Sequence, residues 1–118
     1  MAVKNGAKRL GDAVEQLAAD YLIKNGLSLI ARNYCVRGGE IDIIAKEGDC
    51  VVFAEVKTRA AERFAAPREA VGGKKRKRLK LAAENWLAET GYGGFCRFDV
   101  IEVIAGDRPL IRHWRDAF

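Results

Sequence analysis

The sequence predicts an α/β or α+β domain in which a mixed β-sheet is flanked by helices. Three observations carry this. Two segments show apolar residues at helical spacing, several short runs rich in Ile, Val and Phe lie between and after them, and the order is helix, strands, helix, strands. From Leu10 to Leu22 the apolar positions are 10, 13, 14, 17, 18, 21 and 22, the repeat of a helix with one face on a core. Asn25-Gly26 is a stop signal for it. The runs LSLIARNYCV, GGEIDIIA and CVVFAEVKT follow as strands, the last two joined by KEGD, a tight-turn composition. The stretch from Ala60 to Gly73 holds Pro67 and a glycine pair and reads as a connection. Leu79, Ala82, Ala83, Trp86 and Leu87 mark the core face of a second helix ending at Thr90-Gly91. FCRFDVIEVIA, from Phe95 to Ala105, is a further strand, and Gly106-Asp107 turns the chain into a last short strand, LIRHW.

Length and composition bound the function. A chain of 118 residues is expected to form one domain, spanning 1–118. With 49% hydrophobic and 31% charged residues it is expected to be a soluble globular protein. No apolar run approaches the ~20 residues of a transmembrane helix. The N-terminus, MAVKNGAKRLGDAVEQLA, lacks the apolar segment of a secretory signal, so a cytoplasmic location is expected. Cys35, Cys50 and Cys96 are an odd number without CxxC spacing, which argues against a disulfide framework or a structural zinc site. There is no GxxxxGK[ST] segment to support ATP-driven chemistry, and nothing calls for a small organic cofactor.

The net charge is +5, and six of the seven residues from Lys74 to Lys80 are basic. That density favours a polyanion such as nucleic acid or an anionic membrane; a solvated helix face is the bland alternative. A lipid-surface role is disfavoured, because the apolar face of this helix is alanine-rich and matched to a core. His113, the single histidine, is expected to pack or lie at the surface, and Trp86 to sit in the core.

The hairpin at residues 38–59 poses a sharper problem, because Glu40, Asp42, Glu55 and Lys57 interrupt an otherwise apolar pattern. If Gly48-Asp49 are the central turn residues, Glu47 pairs with Cys50, Asp42 falls opposite Glu55 and Glu40 opposite Lys57. Facing carboxylates repel, and burial among Ile43, Ile44, Val52 and Val56 disfavours them further unless a cation neutralises them. Oxygen ligands from Asp42 and Glu55 suit Mg²⁺, and Lys57 would lie beside it. The alternative is a surface hairpin face carrying exposed ion pairs. Glu15 falls at the rim of the first helix's apolar arc, where spacing alone reads it as a solvated edge residue.

The residues Asp42 and Glu55-Val56-Lys57, preceded by a helix carrying Glu15, resemble the PD-(D/E)xK nuclease core in the form seen in archaeal-type Holliday junction resolvases. More closely, GDAVEQLAADYL, RNYCVRGGEIDIIA, VVFAEVKTR, KxxRLKLAAENWL and CRFDVI are similar to the YraN family of small bacterial endonuclease-like proteins, over Gly11 to about Val103. Two positions depart: Ile41 replaces the proline that names the broad motif, and Ala54 stands where a larger aliphatic residue is common. The resemblance implies a restriction-endonuclease-like core, Asp42 and Glu55 as ligands of Mg²⁺ or Mn²⁺, Lys57 as the catalytic lysine and Glu15 as a further acidic residue. Arg59, Lys74, Lys75, Arg76, Lys77 and Arg78 are then expected to contact the nucleic-acid backbone. A homodimer is suggested because related junction resolvases act on two-fold symmetric substrates. The expected activity is metal-dependent hydrolysis of DNA; the alternative is a non-catalytic nucleic-acid-binding module on the same scaffold.

Overall fold

The computed structural model describes residues 6–59, 72–104 and 106–118, so most of the predicted connection at 60–73 lies outside the described residues. The elements are α1 (Gly6–Lys24), β1 (Ser28–Val36), β2 (Gly39–Glu47), β3 (Cys50–Arg59), α2 (Gly73–Thr90), β4 (Phe95–Ile104) and β5 (Leu110–Trp114). The five strands form one mixed sheet in the order β1-β2-β3-β4-β5. Only β3 and β4 are parallel, and α2 lies in the connection between them, as a parallel pair requires.

Local chemistry sets the boundaries. α1 ends with Gly26 at φ 91°, the Leu27 N–H bonding Leu22 O and the Gly26 N–H bonding Ile23 O, the double bond of a Schellman cap. α2 ends on Gly91 at φ 69°, whose N–H reaches Leu87 O. Between β2 and β3 the turn is Gly48-Asp49, with Glu47 opposite Cys50 as the sequence predicts.

Among the described residues, each face of the sheet carries one helix. Val14, Ala18, Ala19 and Leu22 of α1 pack on Ile43, Ala45, Val52, Ala54, Ile101 and Val103. On the other face Leu79, Ala82, Ala83 and Trp86 of α2 pack on Ile41, Ile44, Val51, Phe53 and Val100. Trp86 meets Phe53 edge-on at 5.8 Å, a core role as expected. A β-carbon on Gly39 would stand 2.6 Å from the Arg78 carbonyl oxygen, so glycine is what allows α2 to seat this closely on β2.

The stripe of α1 is rotated from the predicted arc. Ala19 is fully buried, whereas Ala13 is exposed and Leu17 is 39% exposed. Sequence period locates a face only to within a residue or so on either side, and packing on Ile43 and Ala54 selects the 14/18/22 line with Ala19 beside it. Glu15, four residues before Ala19, is thereby turned inward.

Candidate functional site

The ladder between β2 and β3 runs from Glu47↔Cys50 to Ile43↔Ala54 and stops. In that register Asp42 and Glu55 are the next pair, so the two carboxylates fall where the strands part. Asp42 Oδ2 accepts a hydrogen bond from the Val56 backbone N–H at 2.9 Å, a side chain taking over as strand pairing ends. The backbone is distorted at the same place. Asn33, at φ 52°, stands across from Asp42 in β1, and Ile41 and Ile43 pack into the clusters on opposite faces. Asparagine is among the residues that tolerate this left-handed geometry.

The parting of the strands lets the charge of one carboxylate reach groups on both faces. The charge of Asp42 acts on Glu55, which faces α2, and on Glu15, which comes from α1. Glu55 is 1% exposed. Burial first and the Asp42 charge second push its pKa up to about 7, against the opposing pull of Lys75 and Lys57. Glu15 is likewise raised, by burial and by Asp42, with Arg32 and Asn33 pulling the other way.

Satisfaction is incomplete. Glu55 Oε1 meets the Lys75 ammonium at 2.7 Å, but among the described residues its Oε2 is buried without a hydrogen-bond partner. Glu15 Oε1 is also buried without one, its ion partner Arg32 standing 3.8 Å away. A buried acceptor left open costs about 1–3 kcal/mol, more when charged. These oxygens fit a hard divalent cation, which takes oxygen ligands and, as Mg²⁺, keeps several waters beside one or two carboxylates. Among the described residues no three or more His, Cys, Asp or Glu side chains close on one point. The fit is therefore to an ion held by the Asp42–Glu55 pair and water, with Glu15 at the border.

Lys57 is half-buried two residues past Glu55, and its charge reaches that carboxylate. The predicted Glu40–Lys57 pairing lies beyond the end of the ladder; Glu40 instead forms an ion pair with Arg78 at 3.7 Å. Other cations expected to face a nucleic acid have partners within the chain. Arg59 is bound to Glu102 at 3.0 Å, Lys75 to Glu55, and the Arg76 guanidinium lies 5.0 Å over the Phe118 ring. Lys74 and Lys77 are exposed. No acidic residue stands in the first turn of α2, so its lysines and arginines add to the positive pole of the helix dipole rather than opposing it.

Sequence reasoning passed over two further buried carboxylates, Asp99 and Glu102 of β4. Asp99 accepts from Arg97 Nε at 2.9 Å, from the Asp116 N–H at 2.9 Å and from His113 Nε2 at 2.7 Å, while Tyr21 OH lies 3.2 Å from His113 Nδ1. Glu102 accepts from Arg59 Nε and from Trp114 Nε1 at 2.8 Å. His113 thus has the packing role expected of it. The available signal was the run FDVIE, acidic residues inside an apolar strand.

A five-stranded mixed sheet with a helix on each face and carboxylates gathered where two inner strands part defines an α/β domain compatible with a restriction-endonuclease-like core. The chain belongs to the family described as Uncharacterised protein family UPF0102, the YraN family, whose profile matches residues 14–103. A UPF0102 protein of Rhodococcus jostii is 45% identical over 112 residues, covering 92% of this chain and 95% of its own. One from Symbiobacterium thermophilum is 48% identical over 107 residues, covering 90% and 91%. A third, from Pelotomaculum thermopropionicum, is 41% identical over 115 residues, covering 94% and 96%. The matched span includes Glu15, Asp42, Glu55 and Lys57.

Proposed function

We propose that this protein is a metal-dependent endonuclease that hydrolyses phosphodiester bonds in DNA, branched or junction DNA included, in the cytoplasm. The observation that carries the reading is the pair of buried carboxylate oxygens without a hydrogen-bond partner among the described residues, Glu15 Oε1 and Glu55 Oε2, both under the charge of Asp42. Asp42 and Glu55 would hold Mg²⁺ or Mn²⁺ together with water, with Glu15 at the border of the shell. When bound, such an ion supplies Lewis-acid stabilisation of a phosphate and an activated water. Lys57, on the same strand as Glu55, would offset charge building on the phosphate. Asp42 is fixed by its bond to Val56, and the apolar residues around Glu55 limit competing solvent. Lys74 and Lys77, at the exposed start of α2, would hold the backbone, a contact weakened by salt.

The test is cleavage of linear, nicked, flap and four-way junction DNA, and of matched RNA, with Mg²⁺ or Mn²⁺. The wild type is expected to cut and a Glu55→Gln, Lys57→Ala variant not to. Equal cleavage by both would rule the mechanism out. A second reading, the non-catalytic binding module, is favoured by the Lys75–Glu55 ion pair, which already half-satisfies the central carboxylate. It predicts salt-sensitive DNA affinity indifferent to Mg²⁺ and to Asp42→Asn.

A further inference from the structure

We infer that the Lys75 ammonium is a resident counter-ion of Glu55 that a divalent cation displaces, coupling metal uptake to release of a lysine on the DNA-facing turn of α2. The inference rests on the metal-dependent reading above. Lys75 Nζ lies 2.7 Å from Glu55 Oε1, while Oε2 of the same carboxylate has no hydrogen-bond partner among the described residues, so the site is half filled by a cation of the chain's own. Among the described residues, Asp42 and Lys57 act on Glu55 besides Lys75, and Asp42 and Glu40 act on Lys75 besides Glu55.

A divalent ion on Oε2 would place two positive groups on one carboxylate, and the weaker, more mobile one leaves. Lys75 is the mobile one. Its side chain is 36% exposed, it stands in the first turn of a helix that begins at Gly73 with no side-chain cap, and water is open to it. Lys57 is carried by an inner strand paired on both sides up to Ala54 and on one side beyond. Once released, the four-carbon stem of Lys75 returns its ammonium to the turn that bears Lys74 and Lys77, where it adds to the attraction for a phosphate. An enzyme built this way carries its full basic face only when loaded.

Two readouts on the full chain test this. Mn²⁺ binding is measured by calorimetry for the wild type, Lys75→Met, Lys77→Met and Asp42→Asn, and acylation of Lys75 is followed by mass spectrometry with and without Mn²⁺. Lys75→Met is expected to bind Mn²⁺ about tenfold more tightly than the wild type, and Lys77→Met to differ by less than about twofold, as a screened exposed charge should. Mn²⁺ should speed acylation of Lys75 in the wild type, and Asp42→Asn should remove that response. The inference is overturned if Lys75→Met binds no more tightly than Lys77→Met and Mn²⁺ leaves Lys75 acylation unchanged, even though the wild type takes up the ion. Absence of Mn²⁺ uptake by every protein would instead remove the metal reading and this inference with it.

Discussion

Glu55 and Asp99 lie on adjacent strands, both almost without exposure, yet their surroundings treat them in opposite ways. Asp99 has donors from Arg97, His113 and the Asp116 backbone, and these overcome burial to hold its carboxyl below the ordinary range. Among the described residues Glu55 has one hydrogen-bonded partner, an open oxygen and a like charge acting on it, and is pushed up. Buried polar groups are normally satisfied, because an open one costs stability. Satisfying Asp99 so fully while Glu55 stays half open separates a carboxylate that holds the fold together from one with the perturbed surroundings of a functional-site candidate.

The largest effect should come from cutting the satisfied site. Asp99→Ala removes the acceptor that His113 and the Asp116 N–H share and leaves Arg97 with Glu47 alone, and is expected to cost about 3 kcal/mol in urea unfolding, the low end of the range for breaking one side of a buried ionic cluster. Glu55→Gln, which removes an uncomfortable charge, should change stability at pH 7 by less than about 1 kcal/mol. Comparable losses in the two variants would break the contrast.

Titration sharpens it, because the two shifts have opposite signs. Glu55 has a higher pKa folded, about 7, than unfolded, 4.5. The folded state therefore binds its proton more tightly, and that stabilisation is complete below pH 4.5 and lost as the pH rises through 7. Asp99 is depressed below its ordinary 3.8, so its contribution is present above that value and lost as pH falls through its folded pKa. Between pH 5 and pH 8 the wild type should lose about 2–3 kcal/mol relative to Glu55→Gln. The deficit of Asp99→Ala should hold over that window and shrink only in acid. Thermal unfolding across pH measures both; a wild type that gains on Glu55→Gln as the pH rises contradicts the assignment.

What could be read from the sequence follows from which interactions are local. Helix period, Asn25-Gly26 and Gly48-Asp49 act over a few residues, so the ends of α1, the β2–β3 turn and hence the register bringing Asp42 to Glu55 were legible. The rotation of α1 toward Glu15 and Ala19 was not, since the neighbouring sheet chooses among nearly equivalent stripes. Nor was the placing of Lys75 on Glu55 or Arg59 on Glu102, because nothing local fixes where α2 begins over β3 or which face of β4 is covered. Asp99 and Glu102 carry no local mark of burial beyond their apolar neighbours in FDVIE. They became interior only because both faces of β4 are buried.

The smallest effect is also the one that tells most about the partition. Tyr21 OH lies 3.2 Å from His113 Nδ1, and the two rings meet edge-on at 5.6 Å, so α1 is linked through His113 to Asp99. Tyr21→Phe keeps the ring and removes one half-buried hydrogen bond, an expected loss of about 0.5–1.5 kcal/mol. Cleavage of DNA, measured well below the unfolding temperature, should be unchanged, because this chain of contacts serves the docking of the helix and lies apart from the Asp42–Glu55 pair. Tyr21, His113 and Asp99 do form a continuous polar path from α1 to β4, and such a path can also carry protons. If Tyr21→Phe abolished cleavage while leaving stability untouched, the satisfied cluster would belong to the chemistry, and full hydrogen bonding would no longer mark a carboxylate as structural in this fold.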